Sequence, residues 1–193
     1  MHLPRDPGEW LVMAALMAGV MVVGMLAVHG VRSHLGGHAG PMRPGIVMSV
    51  GTWVVHRMLS LGIAVSILGP MMLLTVRGRQ SGRARTIPID VHDVAGRRYL
   101  IATHGVGAWV LNLRAAGEGT LRLGRKWAAF TPRELAPEEA GPVMHAALGP
   151  LVASDGWRGD GVRNNLRVNR GSTDADYVAA ARDHPVFEVQ PTP

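Results

Sequence analysis

Residues 73–88 read LLTVRGRQSGRARTIP: two β-like runs, 73–76 and 86–91, joined by a turn that carries Arg77, Arg79, Arg83 and Arg85 and no carboxylate. Gly78 and Gly82 supply the backbone freedom that a tight return needs, and Ser81 adds a hydroxyl donor. A chain with this segment must lay two short strands side by side and leave several guanidinium groups at one end of them. Backbone N–H groups and planar guanidinium forks so gathered predict a cradle for phosphate or carboxylate oxygens. A solvated loop and a contact with lipid headgroups are the competing readings of the same residues.

The pattern downstream is one of short strands punctuated by glycine. Residues 86–94 and 98–103 form a hairpin through Ala95-Gly96, and 120–123 and 127–135 form another through Gly124. Between them 108–116 reads as a short helix. A longer helix over 137–148 has Glu138 and Glu139 in its first turn, where they suit the helix dipole. Residues 153–173 read as a surface loop, 174–182 as a short amphipathic helix and 186–189 as a last strand. No internal repeat is present. The expected class is α+β, mainly β with helices, built as a partly closed antiparallel barrel.

The N-terminal part is of another kind. Residues 10–31 carry no formal charge, and at 1.5 Å per residue they would make roughly 33 Å of helix, enough for a hydrocarbon core of about 30 Å. One Arg against Asp6 and Glu9 precedes them, so the basic region of a signal peptide is missing, and an uncleaved membrane helix is favoured over a signal peptide or a buried core helix. Arg32, Arg43 and Arg57 follow, which predicts a single-pass protein with its bulk facing the cytoplasm. The expected organisation is a membrane helix at 1–31, a Gly/Pro/His-rich linker at 32–49 and a barrel domain at 50–193. His29, His34 and His38 are read as linker residues, since Gly36 and Gly37 deny them a shared helical face; no metal site is expected. Residues 58–76 are again uncharged and open the alternative of a second span. A helix over 50–67, ended by Gly69-Pro70, is preferred.

Composition excludes several functions. There is no Cys, so disulfides, thiolate metal sites and cysteine nucleophiles are absent. The net charge of +6 comes from 19 Arg and one Lys, but two Phe and two Tyr are too few for base-stacking surfaces, and no nucleic-acid partner is expected. The turn is not a P-loop, Gly105-Val106-Gly107 lacks the third glycine of a dinucleotide fingerprint, and neither H-E-x-x-H nor G-x-S-x-G occurs.

The run TVRGRQSGRARTIP, together with WVLNLRAAG at 109–117 and HPVFEV at 184–189, resembles the deazaflavin-dependent nitroreductase and quinone reductase family of actinobacterial split β-barrel proteins. The resemblance covers roughly residues 50–149 and resumes at 184–189. It implies a split β-barrel, an oxidoreductase activity and reduced coenzyme F-420, an 8-hydroxy-5-deazaflavin whose tail carries a phosphate and several glutamates. By that resemblance Arg79, Gln80, Ser81, Arg83 and Arg85 hold the tail, and Pro88 and Ile89 enter the pocket. Ala102, Thr103 and His104 lie along the ring, and Trp109, Asn112 and Leu113 bound its other side. The chain departs from the family where Gln80 stands in place of a common Lys, and from the nitroreductase branch where Asp90 stands in place of a Tyr.

The expected reaction is hydride transfer from the reduced deazaflavin to a lipophilic acceptor such as a quinone, beside a membrane, with His104 and then Tyr177 as candidate proton donors. The alternative is a non-catalytic binder of the deazaflavin, flavin mononucleotide or haem. A homodimer is compatible with either reading.

Overall fold

The computed structural model describes residues 55–62 and 70–192. Two compact units divide the chain. Met1–Val54 lies outside the described residues, and with it the expected membrane helix and linker; Val55–Pro193 is the other. No helix among the described residues is long and apolar enough to cross a bilayer.

Seven described strands form one antiparallel sheet: β1 (Met71–Arg77), β2 (Ala84–Asp90), β3 (His92–Val94), β4 (Arg97–Ile101), β5 (Gly119–Leu123), β6 (Lys126–Glu134) and β7 (Val186–Pro191). Their order is β2-β1-β5-β6-β7-β4-β3. β2 also touches β4, near the far edge, so the sheet curls into a partly closed barrel. Besides a short helical segment at 55–60, the described residues include the helices α1 (Ala108–Ala116), α2 (Pro137–Ala153), α3 (Trp157–Leu166) and α4 (Asp174–Ala181).

Period-2 alternation sends successive side chains of one strand into different cores. Tyr99 and Ile101 of β4 join a core made with α2, α3 and α4, around Met144, Leu148, Val162 and Tyr177. Leu100 and Ala102 join the barrel core around Leu74, Val76, Leu113 and Phe130. β7 does likewise, with Val186 in the first and Phe187 and Val189 in the second. Glu188, between them, is buried and takes hydrogen bonds from Arg133 at 2.7 Å and Arg97 at 3.3 Å. The Arg133 hydrogen bond holds its carboxyl below the usual range, against the opposing effect of burial.

Several expectations change here. Residues 86–94 are not one strand: Val91, whose N–H donates to the Pro70 carbonyl at 2.9 Å, ends the pairing with β1, and from His92 the chain pairs with β4 instead. The helix expected over 50–67 is helical at 55–60 and turns at Gly62, which adopts φ +83°, a conformation that favours glycine; 63–69 lie outside the described residues. Because β1 begins at Met71, residues 58–76 are not a second span. The loop expected over 153–173 holds α3. Tertiary contacts stabilise that polar helix: Arg163 donates to the Val152 carbonyl and, at 3.0 Å, to that of Ser154, satisfying the end of α2. Gly159 lets the two backbones approach, since a β-carbon there would sit 2.8 Å from the Leu151 carbonyl oxygen. By contrast α1 and the Ala95-Gly96 turn stand where the sequence predicts them.

Candidate cofactor site

The β1–β2 hairpin and α1 build one concavity. After Arg77 the chain turns through Gly78, whose N–H donates to the Arg83 carbonyl at 2.9 Å and whose carbonyl accepts from Gly82 at 2.8 Å. Gly82 adopts φ +67°. A β-carbon at Gly78 would lie 3.1 Å from the Ser81 hydroxyl, so glycine keeps this loop tight. α1 enters after Gly107 in an extended conformation and stops at Gly117, which takes the left-handed form with φ 67°. Arg114 fastens α1 to β6 by a two-pronged contact with Glu134, at 2.9 and 2.6 Å.

Asn112 joins the hairpin to the helix. It is buried, and its amide oxygen accepts both the Arg79 main-chain N–H at 3.2 Å and the Arg79 guanidinium at 3.1 Å. Between the two elements lies a cavity of about 550 Å³, lined by Val76, Gly78, Arg79, Gln80, Ser81, Arg85, Ile87, Ala108, Trp109 and Asn112. One side is cationic and polar. The other is apolar, and there Trp109 is braced edge-on against Phe187, ring centres 5.8 Å apart. Arg79, Arg83 and Arg85 have no ion-pair partner among the described residues, so an anion meets no internal competitor.

Arg79, Gln80, Ser81, Arg85, Trp109 and Asn112 therefore converge on the cavity. Pro88, Ile89, Ala102, Thr103 and Leu113 do not line it; Ile89, Ala102 and Leu113 pack in the barrel core behind it, and Thr103 is buried. Arg83 is exposed at the turn and shapes it through its main chain, with its N–H 3.4 Å from the Ser81 hydroxyl. His104 is exposed, with Nδ1 3.2 Å from the Thr103 hydroxyl. Tyr177 belongs elsewhere: it sits in the helical core, stacked on His145 at 4.6 Å, and burial pushes its phenol up. It is not a proton donor to this cavity. Val76, Ile87 and Ala108 are lining residues that the sequence reading missed. The signal for Val76 and Ile87 was the alternation of β1 and β2, which puts every second residue on the concave side.

The residues suit a ligand that joins an apolar planar ring to an acidic tail. Comparison with curated protein sequences gives no match. A chain described as a domain-swapped dimer is 24% identical, covering 72% of this chain and 97% of its own, with a TM-score of 0.39. An F420-H2 dependent reductase is 23% identical over 65% of this chain and 99% of its own, with a TM-score of 0.36. A FAD-binding protein from Mesorhizobium loti is 13% identical over 66% of this chain and 86% of its own, with a TM-score of 0.37. The sequence matches the F420H(2)-dependent quinone reductase family over residues 50–147, which takes in the helical segment at 55–60, the arginine turn and α1. The chain belongs to that family and is an F420-dependent oxidoreductase.

Proposed function

We propose that the protein reduces a quinone, or a similar lipophilic acceptor, at the face of a membrane to which residues 10–31 anchor it, with its barrel on the cytoplasmic side. The observation that carries the proposal is the cavity, cationic on one side and apolar on the other, at the β1–β2 turn. Held there by Arg79, Ser81 and Arg85, the reduced deazaflavin would supply the hydride chemistry.

The chain's own residues bind, orient and exclude water. Arg79 and Arg85 grip the acidic tail with Ser81 as a further donor, while Trp109, Ile87 and Val76 offer the flat apolar wall that a ring requires. Asn112 fixes Arg79 before the ligand arrives. His104 or water supplies the proton that the reduced acceptor takes up.

Stopped-flow mixing of the protein with reduced coenzyme and menadione tests this reading. Coenzyme oxidation in proportion to protein concentration is expected. Tight coenzyme binding without oxidation by any of several quinones would leave a non-catalytic binder. An unchanged rate in His104→Gln would assign the proton to water.

A further inference from the structure

The turn between β5 and β6 stands at the end of the sheet opposite the arginine turn. Arg77 pairs with Ala84 beside the arginine turn, whereas Leu73 pairs with Arg122 on the way to the other end. With a rise of about 3.3 Å per residue, the length of β1 separates the two turns by about 20 Å. Residues 122–127 read RLGRKW, three cations and no carboxylate. Arg122, Arg125 and Lys126 are exposed, and none has an ion-pair partner among the described residues.

Two large apolar side chains share this tip. Trp127, directly across from Arg122, is 69% exposed, and Leu61 is 74% exposed. Close packing holds Leu61 there: the Gly124 N–H donates to the Leu59 carbonyl at 2.8 Å, and a β-carbon at Gly124 would sit 2.8 Å from the Gly62 α-carbon. Water solvates such a patch poorly. A nucleic acid would want several exposed rings for stacking, and the tip has one. An indole with a polar N–H, an aliphatic neighbour and a ring of cations suit the boundary between anionic headgroups and acyl chains.

We propose that this hairpin tip docks on an anionic bilayer surface, with Trp127 and Leu61 entering the headgroup region and Arg122, Arg125 and Lys126 meeting lipid phosphates. It extends the membrane reading above but does not need the N-terminal anchor. Docked so, the protein turns its arginine cradle towards bulk water, where an acidic coenzyme is not repelled by the lipid.

Because the chain has no Cys, Ala128→Cys gives a single spin label beside Trp127, and Glu118→Cys a control label at the other end of β5. The full-length protein is mixed with vesicles of phosphatidylcholine alone or with added phosphatidylglycerol. Collision with oxygen against a water-soluble nickel complex reports depth, and co-sedimentation reports attachment. The label at 128 is expected to enter the lipid boundary only with phosphatidylglycerol, while that at 118 stays in water. Each substitution, Arg122→Gln, Arg125→Gln or Lys126→Gln, should lower the ratio of docked to undocked tips about fivefold.

A label at 128 that stays in water while the protein co-sediments overturns the proposal, as does failure to co-sediment with anionic vesicles. Equal immersion in neutral vesicles, or in the triple Gln variant, overturns it too, since charge then plays no part. So does a label that responds to added nucleic acid or acidic polypeptide but not to lipid. Immersion in anionic vesicles with no attachment to neutral ones supports docking and argues against the N-terminal anchor.

Discussion

The two cores flanking β4 and β7 solve different problems with the same strands. The helical core closes tightly around α2 and α4: at Gly141 a β-carbon would lie 2.7 Å from the Val178 backbone nitrogen, and Thr173 and Asp176 cap α4 reciprocally. The barrel core stops short of closing, and at its rim Trp109, Ile87 and Val76 wall a cavity beside arginines that have no ion-pair partner among the described residues. Where backbones touch, the fold gains stability. Where they stand apart, it gains a binding surface with charges still available to a ligand.

If that division holds, substitutions on each side should register in different measurements. The largest effect belongs to the cavity. Arg79→Ala and Arg85→Ala should each weaken coenzyme binding by about 1.5 to 3 kcal/mol, more at low salt, with the melting temperature almost unmoved. Arg83→Ala, off the cavity lining, should cost clearly less in the same titration; an equal loss would widen the site to the whole turn.

Gly141→Ala addresses the other core. Forcing a methyl against the Val178 backbone should cost about 1 to 3 kcal/mol in urea unfolding and leave coenzyme affinity intact. A comparable loss of affinity would mean that the two cores are not separable. Asn112→Ala lies on the boundary and sharpens it: loss of the acceptor for Arg79 should reduce affinity by about 1 kcal/mol and add a small loss of stability, so that both assays respond.

The smallest effect is one of pH. His92 is buried, and desolvation lowers its pKa from the ordinary 6.5 against the opposing pull of Asp90. The unfolded chain therefore takes up that proton first as the solution is acidified. The stabilisation is complete above about pH 6.5 and is lost as pH falls towards the lowered folded value. Melting curves between neutral and mildly acid pH should show that slope, and His92→Gln should flatten part of it. An unchanged slope would relieve His92 of the role.

What the sequence made legible follows from how local each signal was. α1 ends at glycines on both sides, and Gly107 and Gly117 mark it in the primary structure. The Ala95-Gly96 turn, with both residues at positive φ, is equally local. α3 was not legible, because what holds it is Arg163 reaching the end of α2 and Gly159 meeting its backbone, contacts that exist only after folding. The cationic half of the site was visible as a run of arginines. Of its apolar half, Trp109 came with the family resemblance, whereas Val76 and Ile87 did not, since alternation alone does not say which face of β1 and β2 becomes the wall. Tyr177 was misassigned for the same reason: a sequence shows that a tyrosine is there, not which of two cores will bury it.

The arginine hairpin also has a bearing on solubility. β2 ends the sheet on one side, and a bare edge strand invites pairing with another chain and, from there, aggregation. Here that edge carries Arg85, a charge exposed to water, and Pro88, which has no N–H to offer an incoming strand. Replacing Arg85 by a β-branched apolar residue would thus do more than empty one position in the cradle: it would leave a stickier strand on a protein already rich in apolar sequence. Residues suited to gripping an anion are the same ones that keep the molecules apart.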